Sequence, residues 1–299
     1  MNNILVIGSS NTDMVIRVEN IPLPGQTVLG GEFSTFAGGK GANQAVAAKR
    51  SGAEVKFLAS LGNDELGKSA IAGFEKEGIN TGCIQFIDTS ASGVALIFVN
   101  NEGENCIGVA AGANNALSAE YIEQNKEAFS SASHVLIQLE IPMEAVEKTA
   151  KICKELQLPL IVNPAPAASL SHELLDGLYC LTPNETEAET LTGIKVKDIE
   201  SAKESAMHLL NLGVVNVIIT LGEKGALVCN KQAVTHLSAP KVKVVDTTAA
   251  GDTFNGILAS LLSEGKTIEE ATSVAIQGAS LSVQKAGATD SIPFRKDYK

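Results

Sequence analysis

Short runs of aliphatic and β-branched residues alternate along the chain with longer segments whose apolar positions recur at helical spacing. The runs at 4–7, 55–59, 135–139, 160–162, 179–181 and 217–220 are bounded by Gly, Asn, Asp or Pro and have the length of buried strands. The helical spacing predicts helices over 42–51, 65–77, 118–128, 143–156, 185–192, 199–212, 252–264 and 268–284. This alternation predicts an α/β fold, a mostly parallel central sheet with helices on both faces. Two segments break the rhythm. Residues 12–37 and 92–111 alternate with period two, as in Met14-x-Ile16-x-Val18 and Val94-x-Leu96-x-Phe98, the pattern of half-exposed strands. Paired together they would make a small second sheet, a lid or a dimer contact. The 299 residues then form one α/β domain, 1–299, carrying a small β lid from 12–37 and 92–111.

Composition sharpens this picture. With 44% hydrophobic and 19% charged residues the chain is globular, and with 4% aromatics and no Trp its core must be aliphatic. A net charge of −11 with only three arginines, Arg17, Arg50 and Arg295, argues against nucleic-acid binding, which needs a basic surface. No apolar stretch approaches the ~18 residues of a membrane span, so no membrane association is expected. The first residues have neither a basic leader nor a long apolar run, which suggests a cytoplasmic protein. Five scattered cysteines, without a CxxC pair, read as buried free thiols. His134, His172, His208 and His236 are equally scattered and offer little to zinc or triad chemistry.

In α/β sheets ligands bind at the carboxyl ends of strands, and small polar residues recur there: Asn11 and Asp13, Glu140, Asn163, Asn184 and Gly222. Each is also an ordinary turn or cap residue. Gly38-Gly39-Lys40-Gly41-Ala42-Asn43 precedes a helix of small residues, so its backbone can approach a ligand or simply make a tight turn. It is not a Walker loop, which needs Ser or Thr after the Lys, nor a GxGxxG motif, because Gln44 takes the third glycine position. Asn184 and Glu187 have capping-box spacing, although carboxylates there could also hold hydrated Mg²⁺ beside phosphates. The segment Thr220 to Gly225 suits a nucleotide contact or an ordinary hairpin. Most informative is Asp246-Thr247-Thr248-Ala249-Ala250-Gly251-Asp252. Its small residues leave amides uncovered at a helix start, and Asp252 is either a cap or a proton acceptor beside an anion hole.

Through 38–43 and 246–252, and through Asn163-Pro164-Ala165-Pro166-Ala167 and 182–187, the chain resembles the ribokinase family of carbohydrate kinases from residue 4 to about 295. The resemblance implies a ribokinase-like fold and phosphoryl transfer from MgATP to the O5 hydroxyl of D-ribose. Deoxyribose, another sugar or a nucleoside is the alternative acceptor, and a catalytically silent sugar- or nucleotide-binding regulator the alternative class. It further implies that Asn11, Asp13, Gly39, Lys40, Asn43 and Glu140 hold the sugar, that Asp252 is the general base, and that Ala249, Ala250 and Gly251 supply the anion hole. Asn184, Thr220, Gly222, Gly225 and Gly251 would contact ATP, with Ile276 near the adenine, and Glu187 would help organise Mg²⁺. Asp246, Thr248, Ser282, Lys285, Gly287 and Ser291 fall where the family binds a monovalent cation, K⁺, several through backbone carbonyls. The lid strands would close over the sugar and join two subunits as a homodimer.

Overall fold

The computed structural model describes residues 2–29 and 31–298. The amino-terminal half runs β1 (Asn3–Ile7), β2 (Asn11–Arg17), β3 (Glu32–Gly38), α1 (Lys40–Arg50), β4 (Glu54–Gly62), α2 (Glu65–Lys76), β5 (Asn80–Ile87), β6 (Gly93–Val99) and β7 (Asn105–Ala110). The middle continues with α3 (Ala119–Gln124), α4 (Lys126–Ser130), β8 (His134–Ile137), α5 (Met143–Leu156), β9 (Leu160–Val162), α6 (His172–Leu175), β10 (Cys180–Leu181), α7 (Glu185–Thr192) and α8 (Ile199–Asn211). The last part is β11 (Asn216–Thr220), β12 (Ala226–Asn230), β13 (Val234–Leu237), α9 (Ala250–Ser263) and α10 (Ile268–Ser282).

The large sheet has nine strands in the order β13-β12-β11-β10-β9-β8-β1-β4-β5. All neighbours from β11 to β5 are parallel, and β12 and β13 are added antiparallel at one edge. Alternate side chains of each buried strand enter opposite cores: Leu5 and Ile7 join α5 and α8 on one face, Ile4 and Val6 join α1, α9 and α10 on the other. Both cores are almost wholly aliphatic. The chain leaves β1 toward β4 in one direction and toward β8 in the other, so the crevice between β1 and β8 is the topological switch point, where such sheets bind ligands.

The two period-two segments do pair. β2 lies parallel to β6, with β3 and β7 antiparallel outside them, giving a separate four-stranded sheet that springs from the end of β1. Each segment holds two strands with a turn or loop between. Three strands fall outside the predicted runs: β5, half-exposed and interrupted by Gly82, the buried β12, and the edge strand β13. The expected helix over 118–128 is two helices, broken where Asn125 leaves helical geometry and its Nδ2 donates to the Tyr121 carbonyl at 2.9 Å. All five cysteines are free. Cys153, Cys180 and Cys229 are buried as expected, Cys83 is half-buried, and Cys106 is exposed because every residue of β7 is.

Candidate active site

The site forms where α1 meets α9. A Cβ on Gly256 would lie 2.6 Å from the Gln44 carbonyl oxygen and 2.7 Å from the Ala48 nitrogen, so the two helices touch backbone to backbone where Gly256 meets Gln44, Ala47 and Ala48. This close crossing sets Asn43 and Gln44 against Asp252 on the first turn of α9. Asn43 Nδ2 donates to one Asp252 oxygen and Gln44 Nε2 to the other, each at 3.0 Å. The carboxylate is buried. It is not a helix cap: the cap position is Ala249, and no side chain caps α9. Ala249 sits at φ 59°, in the left-handed region that costs a non-glycine residue about 1–2 kcal/mol. Ala250 N donates back to Thr247 at 3.2 Å, and the helix then begins with its remaining first amides uncapped, where the dipole favours an anion. Gly251 is exposed, and a Cβ there would meet nothing within 4 Å, so a ligand has room against this backbone.

Around Asp252 stand polar groups that the chain itself leaves unsatisfied. Among the described residues none donates a hydrogen bond to the Asp13 carboxylate, and Lys40 Nζ makes no ion pair. Burial, then the charges of Glu140 and Asp252, push the Asp13 carboxyl up to about 6. Burial opposes the charge on Lys40, but Asp252, Glu140 and Glu187 together outweigh it and hold the ammonium above its ordinary value. Glu140 uses one oxygen to accept from Ser9 Oγ at 2.5 Å and from the Lys40 amide at 2.9 Å, and leaves the other free. Asn11 accepts from Asn114 Nδ2 at 2.8 Å, which turns its own amide nitrogen away from that contact. Gly39, at φ 88°, needs glycine twice, since a Cβ would lie 2.7 Å from the Asn11 nitrogen. Asn11 and Asp13 follow β1 and Glu140 follows β8, so these groups flank the switch-point crevice.

A second cluster follows β10 and β11. Asn184 caps α7, and both Glu187 oxygens accept from it, the backbone nitrogen at 2.8 Å and Nδ2 at 2.9 Å. The capping box is therefore real. Glu187 is nevertheless buried and faces Lys40 and Asp252, and burial leads the effects that raise its carboxyl. Asn184 forms a β-bridge with Thr220. Gly222, at φ 55°, is exposed with open space beside it. Gly225, at φ 94°, closes the β11–β12 hairpin, and any Cβ there would strike the Leu237 carbonyl.

These two clusters lie about the uncapped start of α9, with Glu187 facing Lys40 and Asp252. Residues 1–295 match the pfkB family carbohydrate kinase model. The chain belongs to this family of carbohydrate kinases. It is 43% identical over 292 residues to a ribokinase of Haemophilus influenzae, covering 98% of this chain and 95% of that protein. A deoxyribokinase of Salmonella typhi is 36% identical over 300 residues, 99% of this chain and 97% of that one. The solved structure of Arabidopsis thaliana ribokinase complexed with ribose and ATP superposes with a TM-score of 0.93 at 33% identity, over 99% of this chain and 96% of that one.

Within this kinase fold the structure distributes the sequence-predicted residues unevenly. Asn43 is anchored internally, since Thr289 Oγ1 donates to its Oδ1 at 2.9 Å while its nitrogen serves Asp252, which leaves one amide hydrogen over. Ile276 is buried in the aliphatic core on α10. Asp246 ties two segments together: one oxygen accepts from Thr248 N and Oγ1, the other from Gly287 N, all within 2.9 Å. Its carboxyl is held below its ordinary value because these bonds and Arg17 outweigh burial, the largest single effect. Ser282 and Ser291 are buried nearby in sequence, and Lys285 is exposed. Gln44, Gln138, Asn163, Thr182 and Asn255 join the buried polar network without having been singled out as site residues together; only the polarity of Asn163 at a strand end hinted at it.

Proposed function

We propose that this kinase transfers the γ-phosphoryl group of ATP to the O5 hydroxyl of D-ribose, giving D-ribose 5-phosphate and ADP. The observation that carries the reading is the set of unsatisfied groups, Asp13, Lys40 and one Glu140 oxygen, beside Asp252 at the switch point. A sugar offers hydroxyls to such groups, each both donor and acceptor. Asn11, Gly39 and Asn43 complete that surface. Asp252 accepts the O5 proton as O5 attacks the γ-phosphorus and the bond to the ADP oxygen breaks, and the amides of Ala249, Ala250 and Gly251 receive the charge on the transferring group. Asn184, Thr220, Gly222 and Gly225 line the nucleotide side, with Ile276 beneath the adenine.

Among the described residues no cluster of three or more His, Cys, Asp or Glu can cage a metal. Mg²⁺ would arrive with the phosphates and keep several waters, Glu187 would help organise it, and when bound it would neutralise phosphate charge. Asp246, Thr248, Ser282, Lys285, Gly287 and Ser291, several of them through backbone carbonyls, would hold a monovalent cation between the 246–248 and 282–291 segments that Asp246 ties together. Such an ion, K⁺ in this reading, would brace the turn into α9.

The test is a panel of ribose, 2-deoxyribose, fructose and adenosine with MgATP, run in K⁺ and in Na⁺. Ribose is expected to give the highest kcat/KM, with sugars lacking a hydroxyl rejected by up to about 10⁴-fold because their partners stay unpaired. K⁺ should support faster turnover than Na⁺. The deoxyribokinase relative supplies the second reading, and a higher kcat/KM for 2-deoxyribose would select it. No ADP from any sugar would point to a silent binding protein.

The small sheet closes over the sugar in this reading, and it exposes Phe33, Leu96, Ile107 and Val109, each more than half accessible. A second copy of the chain would cover these side chains. Light scattering should give twice the 31.1 kDa chain mass and Leu96→Asp should lower it; a monomer in the parent protein overturns the homodimer. No described helix is long and apolar enough to cross a membrane.

A further inference from the structure

One oxygen of Asp252 is held by Gln44, and the orientation of the Gln44 amide is itself fixed from two sides. Asn163 Nδ2 donates to the Thr182 carbonyl at 3.2 Å, which turns Asn163 Oδ1 toward Gln44 Nε2 at 3.0 Å. From the other side Gln138 Nε2 donates to Gln44 Oε1 at 2.6 Å. Gln44 and Gln138 are both 0% exposed. Gln138 Oε1 lies over Gly8 and has no hydrogen-bond partner. Turning the Gln138 amide over would set its oxygen against the Gln44 oxygen, so the side chain keeps a buried acceptor unsatisfied in order to donate.

We infer that Gln138 and Gln44 are positioning residues for the phosphoryl-transfer step, a directional amide relay that keeps a donor on Asp252 and points its remaining lone pairs at the acceptor hydroxyl. This rests on Asp252 being the general base. The relay leaves the sugar-facing groups Asp13, Lys40 and Glu140 untouched, so its loss separates kcat from KM.

Two variants test it, with Asp252→Asn measured beside them. Gln44→Met keeps length and removes the donor; it should lower kcat about 10²-fold while ribose KM stays within about threefold. Gln138→Glu keeps shape. While its buried carboxyl is protonated it can still donate to Gln44, and once ionised it cannot. Its kcat should therefore recover toward the parent value at low pH and fall along a new alkaline limb, which loss of packing alone would not produce. Gln44→Met with kcat within about twofold of the parent overturns the relay, whatever Gln138→Glu does. So does a Gln138→Glu profile parallel to the parent's. Near-parental turnover in Asp252→Asn instead removes the base on which the relay acts, and the two failures are thus distinguishable.

Discussion

Asp252→Asn should lower kcat by about 10² to 10⁴, or about 3 to 5 kcal/mol in the barrier, while the protein folds and still binds ribose. The folding half of this expectation follows from the donors that meet the carboxylate. Gln44 Nε2 is committed to Asn163 as well as to Asp252, and its oxygen is committed to Gln138, so it must remain a donor. The introduced amide can give it an oxygen. Its nitrogen then faces Asn43, which can turn over, because Thr289 Oγ1 can give its single hydrogen to the Ala37 carbonyl, also at 2.9 Å, and offer a lone pair to the turned Asn43 nitrogen. Every polar atom finds a partner, and the stability loss should stay below about 1 kcal/mol. Asp252→Ala lacks that escape. It strands two buried donors and should cost about 1–3 kcal/mol for each. Initial rates of ADP formation, calorimetric titration of ribose and denaturant unfolding read the three quantities separately. Turnover of Asp252→Asn near the parent value would end the role given to this carboxylate.

The asymmetry between legible and hidden features has a physical origin. The parallel strands are visible because burial on both faces makes a strand uniformly apolar, as in Ile4 to Ile7, and β12, with its buried run Ala226 to Cys229, obeys the same rule, whereas β13 at the sheet edge alternates with exposed residues. The run at 135–139 predicts a continuous strand, yet the strand ends at Ile137, and Gln138 turns a polar group into the relay. Sequence spacing places Asp252 at a helix start but leaves cap and base equally open. The choice depends on Asn43 and Gln44, some 208 residues away, and on the small residues that let α1 and α9 touch. The unsatisfied state of Asp13 and Lys40 is likewise a property of the folded surroundings.

The net charge of −11 also takes a different meaning once the site is assembled. Three arginines are too few for a phosphate clamp, and two are engaged elsewhere: Arg50 with Glu77 and Arg295 with Glu264. In the proposed reading a polyanionic nucleotide is met by helix-terminal amides and a metal ion, and Lys40 is kept for the sugar. The crowd of carboxylates around Lys40 keeps it charged for that role.

The same crowding makes Asp13 a site of opposed demands on stability and binding. Its carboxyl rises from 3.8 to about 6 on folding, first through burial and then through Glu140 and Asp252. A raised carboxyl favours the folded state only while protonated: that stability is fully present below pH 3.8 and is lost as pH climbs through about 6. At pH 8 the folded enzyme therefore carries an anion that the unfolded chain holds more easily. Asp13→Asn removes it and should stabilise the ligand-free protein by up to about 3 kcal/mol at pH 8, the gain shrinking to nothing near pH 4. Gly38 packs so closely that its Cβ would strike the carboxylate, and the isosteric amide respects that limit. The variant should lose ribose affinity at the same time, because its nitrogen cannot accept a hydroxyl. For the parent enzyme the corollary is that ribose binding weakens as pH falls below about 6, since binding needs the ionised form. Unfolding midpoints of both proteins from pH 4 to 8, with and without ribose, test the argument. A variant destabilised at pH 8 and stabilised at pH 4 would reverse its sign, and with it the assignment of Asp13 as a strained acceptor kept for the sugar.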